Sequence, residues 1–289
     1  MLRQDTTFWL GPENATKACL LIHGFMGGPA EMREAGTFLA QQGIRVYGMR
    51  VAGHSGNPED LLPVNRQHWI TSAEEGFAQI AHYPQVFVAG LSMGGILSLL
   101  LAIRHPEKIV GVIALSTPTH FTANWQTRIV PLARFFIKWH YPLAKLDLQD
   151  PQSQFMILQE ARLRGINTKI DFADQRTIIN LKREVRIPVP ALAELFQLTH
   201  ICRQQLRSLR TPLLIIHSRK DTIVNPACAT ELAQRTPHAS PKRTYWLERS
   251  DHVITTGPER QIVFQQMQTF IDHIALHIDE NTAPTQCEP

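Results

Sequence analysis

Apolar residues recur along the chain in short runs, each closed by glycine, proline or a polar cluster. Such runs occupy positions 19–22, 44–48, 86–89, 109–115, 212–217 and 244–247. They are apolar at successive positions rather than at every second one, which predicts strands buried on both faces. Between them the chain reads as helix. Positions 37–43 end a helix at Gly43, and 95–103 is apolar on every side, as in a buried helix. Alternation of strand and helix from about Ala18 to Leu115 predicts an α/β fold, a mostly parallel central sheet with helices on both faces. Between Ser116 and Leu209 the alternation stops, and the segment is rich in helix formers and aromatics. It resumes with the strand at Thr211 and ends in a helix at 258–277 and a polar tail. The expected division is therefore core at 1–116, an insertion at 117–209, core again at 210–278, and a tail at 279–289.

The first chemistry appears at the end of the 86–89 run. Gly90-Leu91-Ser92-Met93-Gly94 reads G-x-S-x-G between an expected strand and an expected helix. In that setting the pentapeptide forms a sharp turn that holds a serine hydroxyl above the sheet edge, and only small residues tolerate the crowding at Gly90 and Gly94. The plain alternative is a glycine-rich turn with a solvated Ser92.

A serine needs a base to take its proton and an acid to orient that base. Where this elbow is used, the chain order is Ser, Asp or Glu, then His. Asp221 follows the 212–217 strand and His252 follows the 244–247 strand, so both fall at carboxyl ends of strands, where ligands gather in open α/β sheets. Of the 13 histidines, His252 stands out by that position alone. His217 is the rival, read instead as a satisfied core residue on the strand before Asp221. Asp251 is a poor rival acid, because a side chain rarely reaches its neighbour's imidazole in the required geometry.

Glycines around His23-Gly24-Phe25-Met26-Gly27-Gly28, after the 19–22 strand, let the backbone come close to a substrate. The N–H groups of Phe25 and Met93 can then converge as an oxyanion hole. The alternative, a phosphate-cradling loop, is weak, since neither the G-x-G-x-x-G spacing nor the closing Lys-Ser/Thr is present.

The strings L-L-I-H-G-F-M-G-G, V-A-G-H-S-G, H-W-I-T, V-A-G-L-S-M-G-G, H-S-R-K-D-T-I-V-N-P and S-D-H-V-I-T together resemble the bacterial carboxylesterase and monoacylglycerol lipase group of the α/β-hydrolase superfamily. The resemblance spans about Lys17 to Leu115 and Thr211 to Ile274. It implies an α/β-hydrolase fold with the 117–209 insertion as a helical cap. It also implies Ser92 as nucleophile, Asp221 as acid, His252 as base, and the Phe25 and Met93 amides as oxyanion donors. His54 would lie in a loop near the site, in a structural or substrate-lining role. Two departures stand out. Ser55 replaces the glycine that usually follows this histidine, and Asp251 replaces the glycine that often precedes the base, putting a charge beside it.

Composition agrees with an enzyme of this kind. A 289-residue chain with 44% hydrophobic residues buries a sizeable core. The net charge of +4 does not imply nucleic acid, and no nucleic-acid module or repeat is present. Cys19, Cys202, Cys228 and Cys287 are dispersed, without metal-ligand or C-x-x-C spacing, which suits a reducing compartment. The start at Met1–Asp5 has no apolar run behind it, so a cytoplasmic location is expected. No stretch is long and apolar enough to cross a bilayer.

Neither cofactor nor metal is expected. The expected activity is hydrolysis of short-to-medium acyl esters or monoacylglycerols through an acyl-serine. A thioesterase, carbon–carbon bond hydrolase or acyltransferase would use the same triad, and a non-catalytic ligand-binding protein would keep the fold without turnover. In the insertion, positions 129–141 are the most apolar, and Phe135 and Trp139 are the candidates for the pocket wall. The same stretch leaves room for peripheral lipid contact, or serves only to dock the cap on the core. Arg176, Lys182, Arg183 and Arg186 read as a solvated face. The oligomeric state is not legible.

Overall fold

The apolar runs pair into one seven-stranded sheet in the computed structural model, which describes residues 6–121, 130, 133–144, 146–151, 153, 154, 157, 158 and 170–282. The strands are β1 (Phe8–Leu10), β2 (Lys17–Ile22), β3 (Arg45–Met49), β4 (Gln85–Leu91), β5 (Ile109–Leu115), β8 (Leu213–Ser218) and β9 (Lys242–Leu247). Their order is β1-β3-β2-β4-β5-β8-β9. Within this sheet, β1 at the edge pairs antiparallel and the other described pairings are parallel.

Among the described residues, seven helices flank the sheet or lie in the insertion. They are α1 (Ala30–Gln41), α2 (Arg66–Ile80), α3 (Met93–Arg104), α4 (Gln175–Glu184), α5 (Val189–Gln205), α6 (Ala227–Arg235) and α7 (Arg260–Thr282). Gly43, just past α1, adopts φ +78, the left-handed conformation that ends a helix at glycine.

Helices cover both faces, so the central strands are apolar throughout. All seven residues of β4 and all six of β8 are buried. Alternate residues enter opposite layers. Leu20, Ile22 and Val88 pack with Trp69, Phe77, Ile96 and Leu100 on one side. Cys19, Leu21, Phe87 and Ala89 pack with Met32, Leu39, Phe264 and Phe270 on the other.

After β5 the chain enters the stretch expected as an insertion. Of the stretch 129–141, positions 129, 131 and 132 lie outside the described residues, as do 283–289 of the expected tail and Met1–Asp5. Two short strands, β6 (Trp139–His140) and β7 (Ile187–Pro188), pair antiparallel there. Not all of the segment is peripheral. Ala191, Leu195, Leu198 and Cys202 of α5 enter the same apolar layer as α2 and α3, so the core reaches into the stretch before β8. Glu194 of α5 also ties the segment to the core side, binding Arg66 at 2.6 Å and Arg134 at 3.1 Å. Among the described residues, no helix is long and apolar enough to cross a membrane.

Candidate active site

Parallel pairing brings the carboxyl ends of β2, β4, β8 and β9 to one edge of the sheet. Ile22 stands opposite Gly90 and Ser218 opposite Leu247, so the loops that follow share a level. Ser92 leaves β4 with φ 54 and ψ −114, strained for a residue with a side chain. Packing enforces the turn. A Cβ at Gly90 would overlap the Gly94 carbonyl, and one at Gly94 would overlap the Ile22 carbonyl oxygen. The Ser92 N–H donates to the Leu115 carbonyl at 2.8 Å, pinning the turn to β5.

The loop after β2 comes up beside it. A Cβ at Gly24 would sit 3.6 Å from that of Ser92. Glu31 braces this loop by accepting from the Gly24 N–H at 3.2 Å. Among the described residues, neither the Phe25 nor the Met93 amide donates a hydrogen bond to the protein, and Met93 opens α3, where N–H groups are unspent.

His23 is buried beneath the loop. Its Nδ1–H donates to the Gly24 carbonyl at 2.8 Å, and Nε2 accepts from the Val51 N–H at 3.0 Å. Burial, reinforced by neighbouring His54, pushes its pKa down to about 3. His54 is buried too and donates Nδ1–H to the Ala52 carbonyl at 2.9 Å; burial lowers its pKa to about 4. The Phe25 ring packs edge-on against His54 at 6.1 Å and Trp69 at 5.8 Å. His54 thus props the loop that carries the Phe25 amide.

Asp221 and His252 meet. His252 Nδ1–H donates to Asp221 Oδ2 at 2.9 Å. The Asp221 carboxylate is fully buried, with Oδ1 accepting from the N–H groups of Ile223 at 2.9 Å and Val224 at 2.8 Å. Burial alone would raise its pKa. Hydrogen bonds from His217 and His252 outweigh burial and hold the carboxyl well below the usual range. Asp251 turns elsewhere, accepting from the Thr222 N–H at 2.9 Å and the His252 N–H at 2.8 Å. Its departure from glycine fastens the histidine loop to the acid loop. No hydrogen bond joins Ser92 Oγ to His252 among the described residues, a common state before substrate binds.

Glu259 escapes a reading of the sequence. Buried at the start of the last helix, it accepts from the N–H groups of Glu248 at 3.2 Å, Arg249 at 2.8 Å and Ser250 at 2.8 Å, and from Ser250 Oγ at 2.8 Å. It therefore clamps the loop that delivers His252. His217, expected to be a satisfied core residue, is buried, yet its Nδ1 has no partner.

The described contacts do not bring the two aromatic candidates of the insertion to Ser92. Phe135 is 69% exposed, under the Arg134 guanidinium. Trp139 is half-buried, with the Arg186 guanidinium 4.3 Å over its ring. Among the described residues, no group of three or more His, Cys, Asp or Glu is placed to hold a metal ion.

The model of the family described as serine aminopeptidase, S33, matches residues 13–259. The chain is 24% identical over 262 residues to a carboxylesterase of Bacillus subtilis (strain 168), covering 89% of this chain and 93% of that protein. It is 27% identical over 261 residues to a thermostable monoacylglycerol lipase of Bacillus sp. (strain H-257), covering 89% and 91%. Its fold matches a structure reported for LipS and LipT, two metagenome-derived lipolytic enzymes. The TM-score is 0.75 and the identity 21%, over 94% of this chain and 99% of the other.

Proposed function

The chain belongs to the serine aminopeptidase S33 family, and on that premise we propose that it is a serine hydrolase of carboxylic esters, with Ser92, Asp221 and His252 as its triad. The observation that carries the reading is the 2.9 Å hydrogen bond from His252 Nδ1 to a buried, ionised Asp221 at the edge where β4 presents a strained Ser92. With Nδ1–H committed to Asp221, His252 Nε2 keeps the lone pair that takes the Ser92 proton. Ser92 Oγ attacks the ester carbonyl, and the oxyanion takes hydrogen bonds from the Phe25 and Met93 amides. Each such donor is worth about 3–4 kcal/mol of barrier. The His252 imidazolium returns its proton to the departing alcohol. Acyl-Ser92 is then cleaved by water, activated by the same base.

Relatives named as a carboxylesterase and a monoacylglycerol lipase support esters of one acyl chain as substrates. The segment 117–209 is the proposed cap, with Trp139 toward the acyl pocket. The free, buried thiols of Cys19, Cys202 and Cys228 support a cytoplasmic location. One observation favours lipid contact through the same segment. Phe135, Phe136 and Ile137 are exposed together beside Arg134 and Lys138, a surface suited to a peripheral lipid encounter.

The test is Ser92→Ala with a fluorophosphonate probe and a nitrophenyl ester. The wild-type protein is expected to label and turn over, and the folded variant to do neither. Near-normal turnover by folded Ser92→Ala would overturn the mechanism.

A further inference from the structure

We propose that His217 is a positioning residue for the triad carboxylate, donating its Nε2–H to the same Asp221 oxygen that accepts from His252. The inference rests on the triad reading above. His217 lies on β8, four residues before Asp221, and is fully buried. Its Nε2 makes a hydrogen bond to the Val224 carbonyl oxygen at 3.3 Å, and Asp221 Oδ2 lies 3.2 Å from the same nitrogen, so the one N–H is shared between the two. Both of these atoms only accept. The proton therefore resides on Nε2, and Nδ1 carries a bare lone pair, buried with no hydrogen-bond partner. The other tautomer would satisfy nothing, because it would turn a lone pair toward two acceptors. The stranded Nδ1 is the cost of presenting Nε2–H to the carboxylate.

The two oxygens of Asp221 thus have separate duties. Oδ1 is fixed by the backbone of Ile223 and Val224, and Oδ2 lies between two imidazoles. A carboxylate held at both ends cannot rotate away when His252 becomes charged. The second donor also makes Oδ2 a weaker base. The other groups around the ring leave this assignment intact. Trp246 of β9 lies 6.2 Å away and does not titrate, and Asp251 is engaged with Thr222 and the His252 amide.

The experiment compares His217→Leu, His217→Asn and His217→Gln with Asp221→Asn on a nitrophenyl acetate substrate across pH. A glutamine amide reaches the position of Nε2 and donates there; leucine and asparagine do not. For Leu and Asn, kcat/KM is expected to fall by about 10-fold, mostly in kcat, the size of one lost charge-assisted hydrogen bond. The acid limb of the profile should move to higher pH, because Asp221 then holds the His252 proton more strongly. Gln should restore both values. An unshifted acid limb in Leu and Asn, or a Gln variant no better than Leu, overturns the proposal. If these occur while Asp221→Asn is inactive, the triad reading stands. If Asp221→Asn is fully active, that reading itself fails. A measurement on unmutated protein tests the same point without risk to folding. With ¹⁵N-labelled imidazoles, His217 is expected as the neutral Nε2–H tautomer, and finding the Nδ1–H tautomer would overturn the assignment.

Discussion

Replacing Glu259 by alanine removes one carboxylate and leaves four donors without their acceptor: the N–H groups of Glu248, Arg249 and Ser250, and Ser250 Oγ. Their environments differ. Glu248 and Arg249 are exposed, so water replaces the lost acceptor cheaply. Ser250 is fully buried, and its carbonyl accepts from Ser218 Oγ of β8, so its two donors are stranded. Two unsatisfied buried donors at about 1–3 kcal/mol each place Glu259→Ala at about 3–4 kcal/mol of lost stability. Glu259→Gln keeps one oxygen. With that oxygen in the Oε2 position, only the Glu248 bond is lost, and the cost falls to about 1–2 kcal/mol. Urea unfolding followed by tryptophan fluorescence reads both values, and ester turnover well below the melting temperature reads the effect on His252. Turnover should fall in kcat more than in KM, because the loop delivers a base and not a binding surface. The pH dependence supplies a check of sign. These hydrogen bonds, working against burial, lower the Glu259 pKa. Its contribution is therefore complete above the unfolded value of about 4.3 and is lost as pH falls through the folded one. The gap between wild type and Glu259→Ala should narrow in acid. An alanine variant within about 0.5 kcal/mol of wild type at neutral pH would refute the clamp.

Three further outcomes are expected. Asp221→Asn should reduce turnover by about 10⁴-fold through the wrong imidazole tautomer, whereas Asp251→Asn should mainly alter the pH profile; the reverse ranking, read from kcat/KM, would reassign the acid. Trp139→Ala should change the chain-length ranking of nitrophenyl esters while sparing the acetyl ester, and an equal loss on every ester would remove Trp139 from the pocket. His23 and His54, held neutral by burial with pKa values of about 3 and about 4, are protonated in the unfolded chain below about 6.5. Stability should therefore fall as pH drops below that value, by up to about 1.4 kcal/mol per pH unit for each, and equal urea midpoints at pH 7 and pH 5 would show that they are not neutral in the fold.

The positions of Ser92, Asp221 and His252 along the sheet edge were legible because each follows an apolar run whose length marks it as a buried strand. What braces them was not. Glu259 acts on backbone amides, which every residue carries, so the loop it clamps leaves no mark in the side-chain pattern. His217 looks like any core histidine until its ring orientation places Nε2 on Asp221. The boundary of the insertion blurs for a related reason. The apolar positions Ala191, Leu195, Leu198 and Cys202 read the same whether α5 packs on a cap or on α3. The outward turn of Phe135 and Phe136 is likewise set by tertiary packing, which periodicity does not record.

The pairing of β5 with β8 bears on how the protein acquires its activity. Val112 to Leu115 lie beside Leu213 to Ile216, a contact that closes a loop of about one third of the chain. On the proposed triad, the nucleophile and oxyanion loop precede that loop, while the acid and base follow it. A nascent or refolding chain that has formed β2, β3, β4 and β5 holds a strained serine with nothing to activate it. Turnover cannot return before this long-range pairing is made, and forming it is the slow kind of step that loop-closure entropy imposes. Regain of ester hydrolysis during refolding is thus a reporter of sheet completion, and a partly folded chain is chemically silent.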